Sequence, residues 1–463
     1  MIVQLARWEP DNPFFWQTEG ERVARRNLGL SVAALVLAFA VWMMWSTLAT
    51  MLPHAGFRFT TSQLFWLVAA PGLAGATLRF LFSFAVPLVG GRTWTVLSTL
   101  LLLVPTLGFA IAVRDPATGY PTFLLLALAC GIGGGNFASS MANISFFYPA
   151  ERKGIALGTN AGLGNLGVPL AQFALPLVVA SAVFGAVGGP PQPWQDGSAT
   201  SSVWLQNAGL VFVPPILVIA ALAWRWMDDL APVRASIDEQ VAVVARPDTW
   251  RLAWLYLGSF GSFIGFAAGF PLLVATEFAG LDAAGYAFAG PLVAALIRPL
   301  GGWLADRAGG APVALACFVV LAAAVAGLIV LAGPGATLVP FLMLFAVLFV
   351  ASGIGNGAVF QLIPAVFAAR RRARAPGVDA GGDDARAAAV EGAAALGFAS
   401  AIAALGAFVI PKAYGTAVDL TGATTAALWL FLLFYVSCAA VTWRHYLRPA
   451  SPVVPAAQRA SQR

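Results

Sequence analysis

The sequence predicts an all-α membrane protein whose twelve transmembrane helices form two pseudo-symmetric halves of six. Three observations predict it. Of 463 residues, 60% are hydrophobic and only 10% charged, with a mean hydropathy of +0.82. Apolar runs long enough to cross a hydrocarbon layer of roughly 30 Å recur along the whole chain. Motifs of the first half return in the second. A water-soluble core needs far less apolar surface, and these runs are continuous rather than alternating, which excludes a β-barrel.

The spans read at 29–51, 62–89, 94–113, 121–148, 154–183 and 203–225, then at 250–278, 284–305, 312–332, 337–367, 391–418 and 423–444. The first 27 residues are polar and aromatic with no apolar core before Asn27, so no cleavable signal peptide is expected. Of 26 Lys and Arg, 21 fall in the N-terminal segment, the even-numbered loops and the tail, against two, Arg58 and Arg114, on the opposite side. By the positive-inside rule both termini are then cytoplasmic, in a multi-pass protein of the cell inner membrane. The net charge of +6 is thus topological: membrane lipid surrounds the chain and no nucleic acid is expected as a partner. Cys130, Cys317 and Cys438 all fall inside spans, without the spacing of a metal site or disulfide framework, and no metal or other cofactor is expected.

The long polar connection near the middle contains Asp228, Asp229, Arg234, Asp238, Glu239 and Arg246, and reads as a cytoplasmic linker over 226–249 between halves 1–225 and 250–463. ATLRFLFSFAVPLVGGR of span two lies on ALIRPLGGWLADRAGG of span eight without a gap, which places Arg79 on Arg298 and Gly90-Gly91 on Gly309-Gly310. GIGGGN at 131–136 in span four similarly matches GIGNG at 353–357 in span ten. This duplication, with the loop motif GGWLADRAGG at 301–310, resembles the major facilitator superfamily, whose halves rock about a central binding site. The motif assigns Asp306 and Arg307 to gating and packing, its glycines let two helices approach, and Asp306 can cap a helix end. The first-half counterpart, PLVGGR at 87–92, lacks the Asp.

Arg79 and Arg298 each precede their Gly-Gly pair by 11 residues, which at 1.5 Å per residue puts both about 16 Å deep, near the membrane midplane. An arginine there costs roughly 2.5–3.5 kcal/mol and needs a cavity or a partner. Buried salt bridges are the structural alternative, yet no carboxylate lies at comparable depth: Glu277 and Asp419 sit at external ends and Asp306 at an internal end. Lys412 lies near the external end of span eleven and can snorkel outward. A bound anion fills the missing role. Guanidinium forks suit a small planar oxyanion, since each donates two parallel hydrogen bonds: nitrate, nitrite, carbonate or a carboxylate. Two such charges about 7 Å apart repel by about 2.4 kcal/mol at an effective dielectric near 20, which an anion between them relieves.

GGGNFASSMANISFFYPAERKGIALGTNAGLGNLG at 133–167 looks like the nitrate signature of the nitrate/nitrite porters. SGIGNGAVFQLIPAVF at 352–367, AAALGFASAIAALGAFVIPKAYG at 393–415 and YLGSFGSFIGFAAGF at 256–270 are also similar to that family. The resemblance spans nearly the whole chain and looks like bacterial NarK-type exchangers. It implies that Arg79 and Arg298 clamp the anion, with Asn165, Phe137, Tyr256, Phe260 and Ser400 completing the pocket. Asn165 offers an amide, Tyr256 and Ser400 hydroxyls, and the two Phe rings can stack on a flat anion; each alone would read as packing. Gly162, Gly164, Gly167, Gly397 and Gly406 serve helix sliding, static close packing, or both. Asn143 belongs to the signature without an assignable contact.

The predicted core holds no titratable group for proton coupling, as His54 and His445 lie at span ends and arginine does not deprotonate. Exchange of nitrate for nitrite by alternating access, with one copy sufficing, is the simpler expectation. Nitrate/proton symport through a water chain or Tyr256 is the alternative, and a non-transporting anion sensor a third. No metal cluster, nucleophile triad or acid–base pair suggests an enzyme. In the loop between spans ten and eleven, Asp383 and Asp384 are placed to pair with Arg370 to Arg374.

Overall fold

The computed structural model describes residues 4–5, 8–196, 199–230, 243–278, 285–331, 337–374 and 382–448. Among them, eleven helical stretches are long and apolar enough to cross a membrane. These are Pro13–Met51, Thr61–Phe82, Gly91–Ala112, Tyr120–Phe147, Glu151–Val179 and Asn207–Trp226, then Pro247–Glu277, Gly310–Leu331, Leu338–Arg372, Glu391–Thr421 and Thr425–Leu447. The helix Ala289–Ala308 stands where span eight is expected and is less apolar, because it carries Arg298 at its centre and Asp306 and Arg307 at its end. The fold is thus the expected all-α one. The middle of the linker, 231–242, the tail beyond 448 and the side chains of Asp383 and Asp384 lie outside the described residues.

Local chemistry sets the ends. Span one starts well before residue 29, because Asn12 accepts from the backbone N–H groups of Phe14 and Phe15 and Pro13 occupies the first turn. Span two opens on a reciprocal capping box: Thr60 accepts from Gln63 N–H at 3.2 Å, and the Gln63 side chain accepts from Thr60 N–H at 2.9 Å.

Several spans read as continuous are interrupted, among them five, seven and eleven. Span five is Ala150–Gly164 followed by Gly167–Val179, with Asn165 and Leu166 between them. Span eleven breaks in the same way at Leu405, between Gly382–Ala404 and Gly406–Thr421. Span seven widens into a π turn over Leu257–Gly261. Hydropathy averaged over a whole span does not register these breaks, but interrupted helices at matching places in the two halves are where transporters expose backbone and side chains to a ligand.

The chain forms two compact units. The first holds Met1–Arg234, Gly265–Leu292 and Ala407–Leu420; the second holds Ala235–Ile264, Val293–Gly406 and Thr421–Arg463. In the first, the far ends of spans seven and eleven pack on spans two and five. The backbone of Ala407 and Phe408 leaves no room for a Cβ at Gly72, and Gly415 abuts Phe65. Buried Gln172 donates to the Ala267 carbonyl at 2.7 Å and the Ser46 hydroxyl at 3.0 Å, and Lys412 lies 4.8 Å from the Trp66 ring. Its two-stranded hairpin, Gln192–Asp196 with Ala199–Val203, brings Trp194 onto His54.

In the second unit, Gly301, Gly353 and Gly357 let spans eight and ten touch backbone to backbone. Arg370 pairs with Asp248 at 2.8 Å, and Arg371 with Glu391 at 3.1 Å. Cys130, Cys317 and Cys438 are buried packing residues.

Candidate functional site

In the first unit the site is built where spans two and four meet. Gly75, Gly131 and Gly134 replace side chains with backbone along that line: a Cβ on Gly134 would lie 2.6 Å from the Trp42 ring, and one on Gly75 3.2 Å from Gly134 Cα. The close approach fixes Arg79, which is 1% exposed. Its Nε donates to the Gly134 carbonyl at 3.0 Å, and its guanidinium lies 4.5 Å from the Phe137 ring and 5.4 Å from Trp42. Trp42 is anchored in turn by donating to the Pro71 carbonyl at 2.8 Å. An arginine in an apolar bundle is thus held in part by a carbonyl and two ring faces.

Asn165 sits at the break of span five. Gly164 and Gly167 hold that break against span one, where Leu35 and the Val36 carbonyl leave no space for their Cβ atoms. The Asn165 side chain is fully buried, and neither its Nδ2 nor its Oδ1 has a hydrogen-bond partner among the described residues. A buried primary amide with both ends unspent is costly, and it marks a place where a polar ligand or water completes the structure.

In the second unit Arg298 is 5% exposed and lies 5.1 Å from the Phe360 ring, and it interacts with the Tyr256 hydroxyl. Nη1 and Nη2 of Arg298 have no hydrogen-bond partner among the described residues. Tyr256 stacks on Phe260 at 5.5 Å and 24° across the start of the π turn, so that irregular turn aims both rings. Ser400 is buried, and its hydroxyl donates to the Gly397 carbonyl of its own helix at 2.8 Å. The first unit therefore gathers Arg79 and Phe137 and buries Asn165, and the second gathers Arg298, Tyr256 and Phe260 and buries Ser400.

Two neighbours were missed by sequence reasoning. Trp42 reads as one more apolar residue of span one, with nothing in its composition to separate it from core. Phe360 does lie inside the quoted span-ten motif, and the repeat relating that motif to the Phe137 segment was the available signal.

The glycines divide into two groups. Gly167 and Gly406 sit at close backbone contacts, Gly406 against the Gly261 carbonyl, and Gly164 packs tightly on the Leu35 side chain. A Cβ on Gly162 or Gly397 would meet nothing within 4 Å, so close packing does not explain those two. Arg307 stacks on Trp303 at 3.9 Å. With its amide turned to suit both ends, Gln361 donates to Asp306 at 2.8 Å and to the Gly302 carbonyl at 3.1 Å, so Asp306 ties span eight to span ten.

Within each unit a buried guanidinium lies beside an aromatic ring. Among the described residues no group of three His, Cys, Asp or Glu could hold a metal.

The family model described as the Major Facilitator Superfamily matches residues 30–380, and the chain belongs to that superfamily of membrane transporters. It is 47% identical over 452 residues, covering 96% of each chain, to "Nitrate/nitrite transporter NarU" of Salmonella typhimurium. It is 37% identical over 451 residues, again 96% of each, to "Probable nitrate/nitrite antiporter NarK2" of Thermus thermophilus, so within the superfamily it falls in the nitrate/nitrite porter family. Among solved structures, a bacterial homologue of the human lysosomal transporter Spinster, in an inward-facing and occupied conformation, has a TM-score of 0.61 at 15% identity. The match covers 89% of this chain and 95% of that one, and it shows the shared fold.

Proposed function

We propose that the protein exchanges nitrate for nitrite across the inner membrane, with both termini cytoplasmic and a single copy sufficient for transport. Residues 1–225 and 250–463 act as its two halves, joined by the linker at 226–249. Arg79 and Arg298 each contribute a guanidinium to the anion, Asn165 an amide, Phe137, Phe260 and Tyr256 ring faces, and Ser400 a hydroxyl once it turns from its helix.

The observation that carries this reading is Arg298: buried, charged, and with both terminal nitrogens unspent. A planar oxyanion accepts two parallel hydrogen bonds from that fork and supplies the charge the bundle lacks. The relatives named as nitrate/nitrite transporters and antiporters support the choice of anion. Without an anion the cationic site resists closure; with one bound, closure follows, and the trip back requires the other anion.

The test is nitrate uptake into proteoliposomes loaded with nitrite or left empty, at equal internal and external pH. Uptake only with internal nitrite, lost in Arg298→Lys, is the expected result. Uptake into empty vesicles that grows with an imposed proton gradient would replace exchange by symport, and no flux under either condition would remove the transport reading.

A further inference from the structure

The first-half loop PLVGGR lacks the carboxylate that Asp306 provides in the second half, and the linker brings one to the same loop. Asp229 is 3% exposed. Its Oδ1 accepts from the backbone N–H of Arg92 at 2.8 Å, its Oδ2 from the Thr93 hydroxyl at 3.2 Å, and Arg92 Nε lies 3.4 Å from Oδ2. These donors form the first turn of span three, a helix whose N-cap residue, Gly90, has no side chain to offer. Gly90 has φ +94, and a Cβ there would lie 2.6 Å from Asp229 Oδ1, so the carboxylate occupies the place a capping side chain would take.

The neighbouring residues hold this contact in place. Asp228 N–H donates to Asn27 Oδ1 at 3.0 Å, while its carboxylate accepts from Asn27 Nδ2 at 2.8 Å and from Arg26 at 2.6 Å. Asp229 and Leu230 pair with Gln4 and Leu5 as a short parallel bridge. On the other side of the loop, Asn143 of the signature helix abuts Gly91 so closely that a Cβ there would collide with its amide. The start of the linker is therefore stitched to spans one and three, and span three in turn to the signature helix.

We propose that Asp229 is a positioning residue of the transport cycle: it caps span three from the linker and fixes the loop between spans two and three against the signature helix. It touches no transported anion. The start of the linker is thereby anchored on the first six-helix half. This inference rests on the exchange reading for its turnover measurement alone.

Asp229→Asn keeps the shape and removes the charge. In proteoliposomes, nitrate/nitrite exchange turnover should fall about tenfold with the KM for nitrate within about twofold, the pattern of a conformational step and not of binding. Thr93→Val, which removes one bond only, should shift turnover in the same direction by a smaller factor. In the purified full-length protein carrying Ala85→Cys, a buried position at the start of the short helix Ala85–Val89 between spans two and three, a water-soluble maleimide should react about fivefold faster when Asp229→Asn is added, because opening of this connection becomes more frequent. The three native cysteines are buried and contribute little background. Unchanged labelling, or a loss that appears as raised KM at normal turnover, would overturn the proposal. If the parent protein exchanged neither anion, the functional reading would fall, and the labelling rate alone would decide the role of Asp229.

Discussion

Arg79 and Arg298 occupy matching places in the repeat, yet their surroundings differ. Arg79 spends its Nε on the Gly134 carbonyl and lies over two ring faces, Phe137 and Trp42. Arg298 has one ring, Phe360, a tyrosine hydroxyl, and two terminal nitrogens with no partner among the described residues. The first is fixed by the protein, through a line of glycines that draws span four against span two. The second lies beside a single ring and a tyrosine hydroxyl. The duplication has kept the charge and its place in the repeat and has changed the side chains around it.

The sharpest way to break this comparison is Arg298→Lys. Lysine keeps the charge and loses the planar fork, so exchange should drop by about two orders of magnitude, measured as nitrite-driven nitrate uptake. If Lys were tolerated there, the unspent nitrogens would have no part in binding. Asn165→Leu removes both ends of the buried amide at nearly the same volume. With a net value of about 1–1.5 kcal/mol for a hydrogen bond to the anion, about a tenfold loss is expected, seen as a raised KM. Because the amide has no protein partner among the described residues, thermal stability should hold or rise, which separates a ligand-facing role from a packing one. Gly134→Ala acts on the surroundings of Arg79 and not on those of Arg298: its Cβ must displace Trp42 and crowd Gly75, at about 1–3 kcal/mol of overpacking. Exchange should fall about fivefold through a shifted Arg79, and the melting temperature should fall with it.

How much of this was legible in the sequence follows from what hydropathy and repeats report. Spans are visible because lipid demands long apolar runs, and the arginines are visible because a charge at that depth is rare and recurs 11 residues before each Gly-Gly pair. The breaks at Asn165–Leu166 and Leu405 and the π turn at 257–261 were not visible. Each is a backbone event beside close tertiary contacts, Gly167 against Val36 and Gly406 against Gly261, which no local pattern announces. Trp42 and Phe360 were lost for a related reason: in a bundle apolar on every face, periodicity does not say which ring looks at a cation. Asp229 was read as part of a linker, since a residue that caps a helix more than a hundred positions away leaves no local pattern.

The smallest expected effect gives the finest comparison, between the rings beside the two arginines. Phe137 lies 4.5 Å from its guanidinium and Phe360 lies 5.1 Å from its own. Replacing either by Leu keeps an apolar side chain and removes the negative ring face, an attraction of about 0.5–1 kcal/mol at exposed sites that grows with burial. Phe137→Leu should therefore cost about fivefold in exchange and Phe360→Leu about twofold, with the gap set by distance and by the loss of a ring that also stacks on Phe39. The two KM values for nitrate, measured side by side, check the order. A larger effect at Phe360 would mean that Arg298 leans on its ring more than its distance implies, and that the protein, rather than the anion, holds the second arginine.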